Sequence, residues 1–202
     1  MRSRHNLGAQ RVRATTSSLE AAHPLRAGPG PHGRCEAGQR WDWDGVRFEV
    51  LHPPASAYAA APPPRPNTLS CVVRVEAADG TRLLLTGDIE AGQEAALVAT
   101  AGAGLRSTFV LMPHHGSRTS STAAFIEAVS PSVALVQAGY RSRFGHPAPD
   151  VVRRYEAAGV RVVRSDRCGA FTRAAGGGTA CERQVSRRYW HHRAAAEPPA
   201  PP

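Results

Sequence analysis

Residues 83–88 read Leu83-Leu84-Leu85-Thr86-Gly87-Asp88, and the architecture follows from how this stretch is entered and left. An apolar strand runs out, Gly87 permits a tight turn, and Asp88 is left at the strand's C-terminal edge. Upstream, Asp79-Gly80 is a hairpin signal between strand candidates at 71–75 and 82–85. Downstream, 90–100 is rich in Ala, Glu, Gln and Leu, which favour helix. The same alternation continues along the chain. Val46, Phe48 and Val50 alternate with Arg47 and Glu49, as in a half-buried strand. A short apolar run at 109–112 ends at Pro113 and reads as a strand. Ser120 or Ser121 is placed to cap a helix carrying Phe125, Ile126 and Val129. Residues 133–136 suit another strand, and 149–158 a helix closed by Gly159. Strands at 160–163 and 170–172 complete the pattern. A hairpin followed by strands alternating with helices is a layered α/β arrangement. No repeat with a period of about 20–50 residues is visible.

The chain of 202 residues fits one domain with loose ends: 1–34 poorly ordered, 35–173 compact, and 174–202 a flexible Gly/Arg/Pro-rich tail. Arg2, Arg4, Arg11 and Arg13 precede Thr15-Thr16-Ser17-Ser18 with no apolar stretch after them, so the pattern of a secretory signal is missing. No apolar run approaches the roughly 18 residues of a membrane-crossing helix. The formal charge is +9, and every basic residue is Arg. A basic surface of this kind suits a polyanion. The arginines are scattered rather than gathered in one stripe, so compositional bias explains them equally well. Cys35, Cys71, Cys168 and Cys181 form no C-x-x-C pair, which excludes a zinc ribbon or thioredoxin motif. The default reading of all four is buried free thiols, with a Cys168–Cys181 pair open in an oxidising compartment.

Three clusters at strand-to-loop transitions carry chemistry. Asp88 is either a helix cap or a carboxylate able to bridge cations and orient water. His114-His115 follows the strand at 109–112. Adjacent imidazoles point in different directions, so one binds a given metal while the other serves a second metal or the surrounding shell. His146, in Phe144-Gly145-His146-Pro147, follows the strand at 133–136 through a loop holding Tyr140, Arg141 and Arg143. An Arg beside a His suits an anionic substrate. Each cluster alone is ordinary. Together they offer His and carboxylate at one sheet edge, a donor set for Zn²⁺ or Mn²⁺ that polarises phosphoryl groups and activates water.

The ordered motifs Leu-Leu-Thr-Gly-Asp, Pro-His-His-Gly-Ser and Tyr-Arg…Phe-Gly-His-Pro resemble the C-terminal metallo-β-lactamase-like domain of ComEC/Rec2-type DNA internalization competence proteins. The resemblance runs from about Cys35 to Thr172. It includes residues 38–46 leading to Leu51-His52-Pro53, and Asn67 with 70–75 ahead of the Gly-Asp motif. It implies a partial metallo-β-lactamase-like αββα sandwich and, in the intact protein, a metal-dependent nuclease that degrades the DNA strand not imported. Asp88 then matches the bridging carboxylate, and Asp88 and His115 are the catalytic candidates. His114 or His115 matches a late-strand ligand, and His146 is a ligand or substrate contact. Asn67, Ser70, Ser117, Arg141 and Arg143 are expected near substrate. Ser117 is expected to hydrogen-bond locally rather than attack, because no activating triad accompanies it. The family's His-x-(His/Asp)-x-Asp-His motif has no counterpart: His5, His23 and His32 lack partners at that spacing. The expectation is therefore a C-terminal fragment with an incomplete metal site, weakly active or inactive alone. Its partners would be DNA and the channel-forming part of the same protein, in the inner membrane. The alternatives are another metallohydrolase of small phosphodiesters or esters, and a non-catalytic basic binding module or remnant.

Overall fold

The computed structural model describes residues 11–12, 32–62, 64–139 and 142–186. A short parallel pair, β1 (Arg11–Val12) with β2 (His32–Gly33), precedes the main body. Then β3 (Arg40–Trp43) and β4 (Val46–His52) form a hairpin that turns at Asp44-Gly45, both with positive φ. Trp41 and Phe48 are cross-strand partners with stacked rings 5.0 Å apart. The expected hairpin at Asp79-Gly80 joins β5 (Val72–Glu76) to β6 (Arg82–Leu85). There the Thr81 N–H donates to Asp79 Oδ1 at 2.9 Å, closing an Asx-type turn.

From β6 onward strands and helices alternate: α1 (Ala91–Ala101), β7 (Phe109–Leu111), α2 (Ala123–Val129), β8 (Val133–Val136), α3 (Pro149–Ala157) and β9 (Arg161–Arg164). The seven strands β3 to β9 lie in sequence order in one sheet, antiparallel up to β6 and parallel from β6 to β9. The α/β reading holds. Three successive crossovers run in one direction, and α1, α2 and α3 share one core against the sheet; such crossovers are right-handed as a rule. The core lies between them and one face of the sheet: Leu84, Val110, Ala134 and Val136 meet Leu97, Phe125, Ile126, Val129, Val151 and Tyr155. None of the described helices is long and apolar enough to cross a membrane.

The opposite face of the sheet carries Val73, Val75, Leu83, Leu85, Leu111, Leu135 and Val163, all half-buried, together with Val50, Phe109 and Val133, which are buried. Their registers across neighbouring strands confirm that they share this face. Beyond β9 come α4 (Ser165–Cys168), the antiparallel pair β10 (Phe171–Arg173) and β11 (Thr179–Cys181), and α5 (Glu182–Val185). Phe171 reaches Phe109 on the helix-free face, ring centres 6.0 Å apart.

Two expectations are corrected. The cysteines are not free thiols: Cys35 pairs with Cys71 and Cys168 with Cys181. Neither Ser120 nor Ser121 caps α2. Thr122 does, accepting from the Phe125 N–H. Ser120 Oγ is taken by the carbonyls of Pro113 and Ser117, and Ser121 sits at φ +61, outside a cap conformation.

Candidate functional site

The C-terminal ends of β6, β7 and β8 lie at one edge of the sheet, where open α/β sheets collect ligands. The antiparallel β4 and β5 bring the end of one and the start of the other to the same edge. Asn67, Ser70, Asp88, His114, His115 and His146 therefore converge there. Backbone ties hold the loops in place. Thr86 Oγ1 donates to the Leu111 carbonyl at 2.6 Å, and the His114 N–H donates to the Gly87 carbonyl at 3.0 Å. The loop after β6 is thus locked to the loop after β7. Ser70 Oγ accepts from the Asp88 N–H at 3.1 Å. A Cβ at Gly87 would come 3.1 Å from Ser70 Cβ, so the glycine is what lets these two loops meet.

His114 (φ 47) and His115 (φ 55) both lie in the left-handed region, followed by Gly116 at φ +77. Consecutive non-glycine residues there are strained, and such strain gathers at functional sites. It turns the two imidazoles apart, as adjacent His residues were expected to be. His115 Nδ1 lies 3.0 Å from the Gln137 carbonyl, which can only accept, so Nδ1 carries the proton. In a neutral ring Nε2 is then an acceptor, and it faces Asp88 Oδ1 at 3.6 Å. Two acceptors then face each other across a gap of this length. Two ligands on a tetrahedral Zn²⁺ stand about 3.4 Å apart, so the pair has the spacing of two donors to one ion. Both side chains are open to solvent, His115 at 49% and Asp88 at 44%.

His114 takes a different environment. Its Nδ1 lies 3.5 Å from Glu90 Oε1 and 3.4 Å from Thr119 Oγ1, which itself donates to Glu90. Ser117 Oγ sits 3.1 Å from Thr119 Oγ1 and accepts weakly from the Thr119 N–H, within its own turn. His146 sits 6.1 Å from His114, ring centre to ring centre, and its buried Nδ1 has no hydrogen-bond partner among the described residues. Burial lowers its pKa below the ordinary histidine value, and the charges of His114 and His115 add to this. Arg143 is exposed and stacks on Phe144. Asn67 contributes its carbonyl to the Ser70 N–H. Arg141 lies outside the described residues.

Sequence reasoning passed over Gln137, Glu90 and Thr119, which orient the two histidines. Glu90 was legible only as part of a helix start, and Gln137 acts through its backbone carbonyl, which leaves no residue-type signal. Among the described residues, no three His, Cys, Asp or Glu side chains lie close enough together to hold a metal ion. The donor set fits two ligands of an ion, not a complete shell.

Fold and site define an α/β domain with a His/carboxylate pair at the C-terminal edge of its parallel strands. No protein-family model matches the chain. Individual relatives do. The chain is 40% identical over 156 residues to the Competence protein ComA of Neisseria gonorrhoeae, covering 76% of this chain and 22% of that protein. It is 32% identical over 153 residues to the Recombination protein 2 of Haemophilus influenzae, covering 74% and 18%. To the ComE operon protein 3 of Bacillus subtilis it is 30% identical over 126 residues, covering 62% and 15%. The chain is a homologue of one segment of these ComEC/Rec2-type competence proteins, and it spans about a fifth of their length.

Proposed function

We propose that this chain is the site-bearing segment of a ComEC-type DNA-uptake protein, and that its sheet edge acts on the phosphodiester backbone of incoming DNA. The observation that carries the reading is the facing pair Asp88 and His115, held open to solvent by Ser70 and Gln137. A divalent ion, Zn²⁺ or Mn²⁺, would rest on this pair, and its chemistry there would be to polarise a phosphoryl oxygen and activate water. The remaining donors must come from outside the described residues. His146 and Arg143 stand where an anionic substrate would approach. The helix-free apolar sheet face is what the second layer of an αββα metallo-β-lactamase-like sandwich would bury, and the known relatives are several times longer than this chain. The intact protein would then set this domain beside a channel-forming part in the inner membrane.

Isothermal titration with Mn²⁺ and Zn²⁺ tests the site. Weak binding that is lost in both Asp88→Ala and His115→Ala, and kept in Ser117→Ala, is expected. Binding indifferent to Asp88 and His115 contradicts it. A second reading, a basic binding module without catalysis, draws on the two-donor count. It requires DNA affinity that falls steeply with salt and needs no metal.

A further inference from the structure

Phe144 is 67% exposed, beside the histidine cluster rather than on a remote surface. A phenylalanine buried with its neighbours would stabilise the fold, and this one is held out in water instead. Two groups lie against the ring. The Arg143 guanidinium lies over it at 4.7 Å, within cation–π range. The His146 ring lies 6.0 Å away and is tilted from it by only 21°. His146 in turn lies 6.1 Å from His114. A line of flat groups therefore runs from solvent to the cluster: Arg143, Phe144, His146, His114. Ser142 and Gly145 close the loop that presents Phe144, the Gly145 N–H donating to the Ser142 carbonyl at 3.0 Å.

A largely exposed flat ring, with a guanidinium that can swing aside to a phosphate and the histidine cluster close by, matches an unpaired base followed by its phosphate. Every base has a π-face, so such a platform takes a single strand of any sequence, while a duplex hides its faces in the stack. We infer that Phe144 is a stacking platform for a base of single-stranded nucleic acid bound at this edge, with Arg143 meeting the adjoining phosphate. The inference rests on the nucleic-acid reading above and adds to it the residue on which a base would stack.

The test is fluorescence anisotropy of the full chain with a labelled oligothymidylate and with an abasic phosphodiester of the same length. The wild type is expected to prefer the base-bearing strand by about 5- to 150-fold in Kd, the range of one aromatic–base stack. Phe144→Ala should abolish that preference while keeping affinity for the abasic strand, and Phe144→Trp should restore it. An unchanged thermal midpoint in Phe144→Ala confirms that the fold is intact. If the wild type binds both strands equally, or if Phe144→Ala keeps the preference, the platform is overturned and the nucleic-acid reading stands. If the wild type binds neither strand, that reading falls with it.

Discussion

Gly116 decides whether the two histidine loops can meet. At φ +77 it already occupies backbone space that side chains avoid, and a Cβ there would lie 2.7 Å from Pro147 Cβ and 2.8 Å from Met112 Sδ. Its carbonyl also accepts from the Ala148 N–H at 2.9 Å, so the loop of His114 and His115 is seated on the loop of His146. Gly116→Ala should therefore destabilise by about 2–4 kcal/mol, combining the left-handed penalty with overpacking. Gly159 is the natural control. It has nearly the same φ, +74, but open space where a Cβ would go. Gly159→Ala should lose only about 1–2 kcal/mol. Urea unfolding of the two variants checks the difference, and equal losses would mean that the loops are not in contact. Strain at His114 and His115 was not readable from residue types, since only the Pro113 and Gly116 that bracket the histidines hint at a tight turn.

At the scale of elements, the helices are tied by a charge rather than by apolar packing alone. Glu94 on α1 is fully buried and accepts from the backbone N–H groups of Ser121 and Thr122 at the start of α2. Arg154 on α3 donates to the Ser120 and Ser121 carbonyls, and Tyr155 reaches Ser121 Oγ. The carboxylate thus joins α1 to the start of α2, and α3 is tied to the same segment through Ser120 and Ser121. Burial raises the pKa of Glu94 above the ordinary carboxylate value, against the opposing pull of the two N–H donors. The folded state then holds a proton that the unfolded state has released. Stability is greatest below the unfolded value, falls as pH rises through the folded one, and levels off above it. Glu94→Gln should remove that slope and leave one N–H without its acceptor, a loss of about 1–3 kcal/mol near neutral pH. Denaturation midpoints from pH 4 to pH 8 check both; a variant as steep as the wild type would place the slope elsewhere. This tie also explains what could be read in advance. The hairpin at Asp79-Gly80 and helices α1 and α3 follow from local turn chemistry and propensity. The cap of α2 does not, because other contacts decide it: Ser120 Oγ is turned to the Pro113 and Ser117 carbonyls, and the Ser121 N–H is held by Glu94, 27 positions earlier. Pairing of Cys35 with Cys71 is equally non-local. Asp88, His114, His115 and His146 were legible because each follows a strand, and parallel strands gather their ends; Gln137 was not, because it acts through its backbone.

On the scale of the molecule, the two faces of the sheet are unequally covered. Ala134 and Leu135 are neighbours on β8. Ala134 is fully buried under the helices, while Leu135 is half-buried on the face without them. A Glu at 134 would bring an unpaired charge into a close-packed core, and unfolding is expected, with a loss above about 4 kcal/mol. A Glu at 135 can turn its carboxylate to water where the face is uncovered, so Leu135→Glu should lose no more than about 2 kcal/mol, mostly transfer energy of the leucine. It should also raise solubility, because a broad apolar face is an association hazard. Thermal and urea unfolding of both variants, with sedimentation at several concentrations, checks the argument. If both variants unfold, the helix-free face is covered in the isolated chain as firmly as the other. If only the Ala134 variant does, the isolated chain carries an apolar sheet face open to solvent. The two disulfides then acquire a purpose at this scale. Closing loops of 36 and 13 residues in sequence separation, each restricts the unfolded chain by about 3–4 kcal/mol. That is the order of stability a domain with one covered face would otherwise lack, and it is available only where thiols are oxidised.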